Sequence, residues 1–186
     1  MRICKVLTGT LLTVSLLITG CVSTSIQTDW KDPAFRRSFK KVLVICNVND
    51  PTVRTTLEED LAAQFTSRGI EAVQSNTLFE SLRDTNGEMV KRKVSEIDAD
   101  GVLLIRPVDH KITVQDNYDW WDAYNYAPTT PLTAETYRVK ASLFEAVKGK
   151  VVWQALSDTI IGGSWLKTVK EFARVVGAKL IERGLI

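Results

Sequence analysis

The sequence predicts an α/β protein with a mixed sheet in a three-layer-like sandwich: a βαβαβ parallel half, then antiparallel strands, then a C-terminal helix. Three observations carry this. Residues 41–46 and 102–105 are short, uninterrupted apolar runs, the pattern of strands covered on both faces. Between them lie two segments with apolar residues at helical spacing. Beyond Pro107 the pattern changes to alternation at period two, which suits antiparallel strands with one wet face.

The chain starts with a segment that does not belong to this fold. Arg2 and Lys5 precede an apolar stretch from Val6 to Ile18, too short for a bilayer span of about 20 residues but right for an export signal. It ends in Ile18-Thr19-Gly20-Cys21, which looks like a lipobox: an aliphatic residue, two small residues and a cysteine whose thiol accepts a diacylglyceryl group. Residues 1–20 are therefore expected to be removed and Cys21 to carry lipid. Each buried CH₂ contributes about 0.8 kcal/mol, and a lipoprotein cysteine carries at least two acyl chains, so the anchor should hold. Val22 rather than Asp at the next position points to the outer membrane, periplasmic side.

Processing removes the basic excess. The formal net charge of +2 comes from Arg2 and Lys5, because residues 1–20 hold no Asp or Glu. The mature chain is neutral overall, which argues against nucleic acid as a partner. Of three cysteines, Cys4 leaves with the signal and Cys21 is consumed by lipid, so Cys46 is left without a partner for a disulfide.

Residues 21–40 read as a lipidated tether and lead-in segment, with Trp30, Pro33, Phe35 and Phe39 able to dock on a single α/β domain at 41–186. After the strand at 41–46, Asp50 caps a helix that Pro51 begins. Val53, Leu57, Leu61 and Phe65 form its apolar stripe, Glu58, Glu59 and Asp60 are expected to face elsewhere, and Arg68-Gly69 stops it. A short strand at 70–74 follows, then a helix over about 88–97 with Met89, Val90, Val94 and Ile97 apolar. Ala99-Asp100-Gly101 turns into the strand at 102–105, expected beside the strand at 41–46 through right-handed crossovers.

Ile112 and Val114 alternate with polar neighbours, as do Tyr137, Val139, Ala141 and Leu143. Lys148-Gly149-Lys150 is a turn into a strand at 151–156, and a final helix starts from Ser164, its stripe made by Leu166, Val169, Ala173, Val176 and Leu180.

Few residues offer chemistry. The loop after the first strand, Asn47-Val48-Asn49-Asp50-Pro51, has no glycine, and neither a dinucleotide fingerprint nor a P-loop occurs, so no cofactor is expected. Cys46 and the sole histidine, His110, fall near C-terminal strand ends, where His110 would activate the thiol and Asp109 or Asp50 would orient its ring. The competing and stronger reading makes Cys46 a packing residue of an apolar strand, since free cysteine is among the most buried residue types. Asp116, Asp119 and Asp122 lack the calcium-loop spacing, and no metal site is expected.

Residues 118–126, Tyr-Asp-Trp-Trp-Asp-Ala-Tyr-Asn-Tyr, are the most unusual part of the chain. Tyr118, Trp120, Trp121, Tyr124 and Tyr126 are five of its fifteen Phe, Trp and Tyr residues. They lie between two strands that a hairpin of two to five residues would join, and long loops of this kind carry function. Such rings suit a protein partner, glycan stacking or a membrane interface, or they fold back on the sheet.

Several segments, among them Thr28-Asp29-Trp30-Lys31-Asp32-Pro33, 39–45, 69–75, 99–104, Val151-Val152-Trp153 and Gly184-Leu185-Ile186, resemble a family of small bacterial lipoproteins with no assigned activity. The architecture is also similar to the small α/β domain of some periplasmic assembly proteins. The resemblance implies an envelope lipoprotein and leaves its activity open. The expected function is a non-enzymatic, lipid-anchored binding or adaptor protein that meets an envelope protein through the aromatic segment. A glycan or small-ligand binding module is the alternative, and an envelope enzyme using Cys46 and His110 comes third.

Overall fold

A computed structural model describes residues 23–115, 132–161 and 164–186. Six strands form one mixed sheet: β1 (Ser23–Lys31), β2 (Lys41–Cys46), β3 (Glu71–Gln74), β4 (Gly101–Gln115), β5 (Leu132–Glu145) and β6 (Lys150–Ile161). Their order is β1-β6-β5-β4-β2-β3, with β2 parallel to both β3 and β4 and every other pair antiparallel. The α-helices among the described residues are α1 (Pro51–Thr66), α2 (Gly87–Glu96) and α3 (Trp165–Glu182). β2-α1-β3-α2-β4 is the expected parallel half, and its first and third strands pair directly, Val42 opposite Gly101 through Cys46 opposite Ile105.

Local signals place the ends of these elements. The Asp50 carboxylate accepts the N–H groups of Thr52 at 2.8 Å and Val53 at 3.0 Å, satisfying two donors that the first turn of α1 leaves without partners. Gly69 (φ +78°) and Gly149 (φ +62°) take left-handed turns where a Cβ would be strained.

Two apolar clusters sandwich the sheet. On one face α1 and α3 pack Leu57, Leu61, Phe65, Phe172, Val176 and Leu180 against Val44, Leu103, Leu143 and Trp153. On the other, α2 brings Val90, Val94 and Ile97 to Leu43 and Ile45, over the parallel half alone. The second face of the antiparallel half is wet, with Trp30 exposed and Arg138 paired to Asp158 at 2.8 Å.

The structure corrects four expectations. Nine residues of the segment read as tether and lead-in form β1, an edge strand whose Thr24 and Ile26 are half-buried while Ser25 and Gln27 are exposed. It is locked by Asp29, which accepts Trp153 Nε1 at 2.6 Å and Arg183 Nε at 2.7 Å, and by Lys31 Nζ, which donates to the Arg183 carbonyl at 2.6 Å. The expected docking of Phe35 and Phe39 does occur: both are buried and stacked at 5.1 Å.

The second correction concerns Pro107. The strand at 102–105 and the alternating segment after Pro107 are one strand, β4, with an irregularity between Pro107 and Asp109. β2 ends at Cys46 opposite Ile105, so beyond that point β4 is an edge on that side and loses no ladder bond to a missing N–H.

Third, Glu58 does not face away from the core; it is fully buried. Its carboxylate accepts Ser75 Oγ at 2.6 Å, Asn76 N–H at 2.8 Å, Cys46 N–H at 2.9 Å and Arg54 Nε at 3.3 Å. Fourth, Leu166 leaves the buried stripe of α3 and is exposed.

Asp32 accepts Lys150 Nζ at 2.6 Å and the Ala34 N–H at 2.9 Å, and these two bonds hold its carboxyl below the usual range. A depressed folded value stabilises the fold above the unfolded Asp pKa of about 3.9, and that contribution is lost as pH falls through the folded value. Thermal melts should therefore show an acid-side loss of stability that is smaller in Asp32→Asn; an identical pH profile would contradict the pairing.

Candidate functional site

Where β2 ends, the sheet continues without it. The Asn47 N–H donates to the Ile105 carbonyl at 2.8 Å and the chain turns into α1, while β4, β5 and β6 run on. α1 and α3 both begin at this end of the sheet. Between their first turns and the continuing strands lies a groove of about 780 Å³. Ile105, Pro107 and Val139 form part of its floor, Val53 and Leu57 belong to the α1 side, and Leu166 and Phe172 to the α3 side. It lies at the C-terminal end of β2, the usual position of ligand sites in open α/β sheets.

The lining is mainly apolar, and some of its polar groups are already committed. Asp50 caps α1, and Thr168 Oγ1 donates to the Ser164 carbonyl at 3.2 Å. Tyr137 forms one rim: its ring stacks on His110 at 4.2 Å and meets the edge of Trp165 at 5.4 Å. Its hydroxyl donates to Glu135 at 3.4 Å, and the same Glu135 oxygen lies 3.4 Å from His110 Nε2. Burial, then the Glu135 charge and hydrogen bond, raise the Tyr137 phenol above its ordinary value, so it remains neutral near pH 7. This arrangement can hold an apolar body against two rings, with polar contacts at the edge.

The Cys46–His110 constellation is not brought together. Cys46 sits opposite Ile105, and His110 lies five residues further along β4, about 16 Å at strand rise. Asp109 uses its carboxylate on the His110 backbone N–H at 2.9 Å, not on the ring. Burial, and secondly the Glu58 charge, push the Cys46 thiol up, with Arg54 opposing them. The thiol is fully buried, as the packing reading expected. A thiol reagent should thus label Cys46 slowly in the native protein and rapidly after denaturation; fast native labelling at neutral pH would indicate an activated thiolate.

Cys21, Tyr118, Trp120, Trp121, Tyr124 and Tyr126 lie outside the described residues, as do Asp116, Asp119 and Asp122. What is described is the base of the aromatic segment, where Gln115 pairs with Leu132 at the end of the β4–β5 ladder. Among the described residues no group of three or more His, Cys, Asp or Glu side chains is placed to hold a metal, and no helix is long and apolar enough to cross a membrane. Sequence reasoning missed Tyr137 and Trp165 as site residues. The adjacent pair Trp165-Leu166 carried a signal, since Trp165 lies outside the apolar stripe through Val169, Ala173, Val176 and Leu180.

No family profile matches this chain, and no curated relative does. Solved structures give a distant likeness to bacterial lipoproteins. The PelC dodecamer from Paraburkholderia phytofirmans is 16% identical with a TM-score of 0.49, over 88% of this chain and 99% of that one. Lipoprotein GNA1162 from Neisseria meningitidis is 16% identical with a TM-score of 0.46, over 76% and 98%. A minor lipoprotein from Acinetobacter baumannii is 11% identical with a TM-score of 0.37, over 77% and 94%.

Proposed function

We propose that this chain is a lipid-anchored binding or adaptor protein of the bacterial envelope, non-enzymatic and facing the periplasm from the outer membrane. Its partner is a protein of the same envelope, met through Tyr118, Trp120, Trp121, Tyr124 and Tyr126. The observation that supports the reading best is the ladder ending at Gln115 and Leu132, which fixes both ends of the aromatic segment on a rigid sheet. Extra residues there cost the fold little, because closure entropy grows only logarithmically with loop length. Aromatic side chains offer large contact area at low entropic cost, which is why they anchor interfaces.

The test of contact is a photoreactive residue at position 124 in intact cells, followed by identification of the attached component. A discrete protein adduct supports the reading, and crosslinks to no protein oppose it. Anchoring has its own test. Mass spectrometry of the mature N-terminus should find acylated Cys21; an intact Met1 or an unmodified cysteine in the native host would contradict it.

The apolar groove favours a second reading, a small-ligand site. Its volume of about 780 Å³ lies within the roughly 300–1,000 Å³ of small-molecule sites. An apolar ligand copurifying with the protein, and displaced by Val139→Trp, would favour it over the adaptor role.

A further inference from the structure

We propose that the end of the sheet where β1 begins is a bilayer-docking surface, with Ile112, Ile160, Trp165 and Leu166 seated at the headgroup–acyl boundary of the anchoring membrane. This rests on the lipid-anchor reading; it adds an orientation and a second point of membrane contact, and it makes the protein met by the aromatic segment one that lies in or on that membrane. The first argument is chain length. Cys21 stands two residues before Ser23, the first residue of β1, and two residues span at most about 7 Å. The pairing of Ser23 with Ile160 starts at once, leaving no linker on which the domain could swing clear.

The second argument is reach. Ser23 is level with Ile160, and through it with Thr136 and Lys111. Residues Ile112 to Gln115 and Leu132 to Glu135 continue beyond that level for about 13 Å along their own axis. β5 lies two strand steps from β1, and that twist turns its axis by roughly 45° and leaves about 9 Å of forward reach, whereas the three steps to β4 leave about 5 Å. The β5 arm exceeds the roughly 7 Å available to Cys21 and so reaches the depth of the lipid attachment.

The third is where apolar surface is left exposed. Ile112 (55%), Ile160 (41%), Trp165 (46%) and Leu166 (52%) all lie at or next to the level of Ser23, by strand register or, for the α3 pair, by the contact of Trp165 with Tyr137. Glu135, the carboxylate at this end of β5, is already engaged by His110 and Tyr137. Apolar side chains set beside a lipid anchor add burial to it, and one aromatic at the rim suits the interfacial zone.

The experiment uses the full lipidated protein in phosphatidylethanolamine–phosphatidylglycerol vesicles. An environment-sensitive fluorophore is attached through Leu166→Cys, or separately through Ile112→Cys, with Val147→Cys in the β5–β6 turn as the distant control. Cys46 is buried and does not compete for label. Nitroxide-bearing lipids should quench the probe at 166 and at 112 about threefold or more over that at 147, as expected for a face set about 5–10 Å into the interface. Equal, weak quenching at all three positions, with Cys21 acylated by mass spectrometry, overturns the docking surface and leaves the anchor standing. A probe at 166 that is shielded from water but untouched by lipid quencher identifies a protein occupant and also overturns it. An unacylated Cys21 overturns both readings.

Discussion

Arg54→Met should destabilise the domain by about 3–5 kcal/mol, because it leaves the Glu58 carboxylate fully buried without a counter-charge. Arg54 donates to Glu58, to Ser75 Oγ at 3.0 Å and to the Phe79 carbonyl at 3.1 Å, so its loss also leaves a backbone carbonyl without that partner. Glu58→Leu should cost a similar amount for the complementary reason. The Cys46 and Asn76 N–H groups then lose their acceptor in a dry site, with a lone guanidinium beside them. The double variant should lose less than the sum of the two, since neither charge is stranded. Urea unfolding reads all three, as a falling midpoint at unchanged slope. A single-variant loss below about 0.5 kcal/mol would mean that water reaches the pair.

The consequence reaches the groove. Glu58 ties the end of β2 to the turn after β3 while sitting two turns inside α1. It therefore fixes the helix whose Val53 and Leu57 line the groove.

Much of the fold was legible because it follows from local rules. The continuous apolar run of β2, the Asp50-Pro51 start of α1 and the Lys148-Gly149-Lys150 turn each obey one short-range constraint. Other features depend on neighbours distant in sequence. β1 has a single large apolar residue before Trp30, Ile26, and becomes a strand through pairing with β6 and the Asp29 clasp. Pro107 reads as a break until β2 is seen to stop opposite Ile105.

Glu58 reads as a solvated charge because the apolar stripe through Leu57 and Leu61 accounts for only part of the buried surface of α1. The buried face also includes Arg54, Glu58 and Ala62, so an Arg–Glu pair four residues apart lies inside it. The groove is built from α1, α3 and three strands, and no local pattern announces it. The aromatic segment is the reverse case, conspicuous in sequence and described only at its base.

The central claim is that this segment serves a partner and not the core, and the double substitution Trp120→Ala, Trp121→Ala tests it most directly. Two buried rings would each contribute about 3–5 kcal/mol, a loss large enough to unfold much of a domain whose total stability is about 5–15 kcal/mol. Two rings that meet a partner would leave the isolated protein nearly unchanged, while binding through central aromatic anchors would fall by about 2 kcal/mol or more for each. Unfolding of the purified protein and in-cell crosslinking from position 124 should therefore be measured on the same variant. The account predicts an unfolding midpoint close to that of the parent and loss of the protein adduct. A large fall in the midpoint with the adduct intact would contradict it.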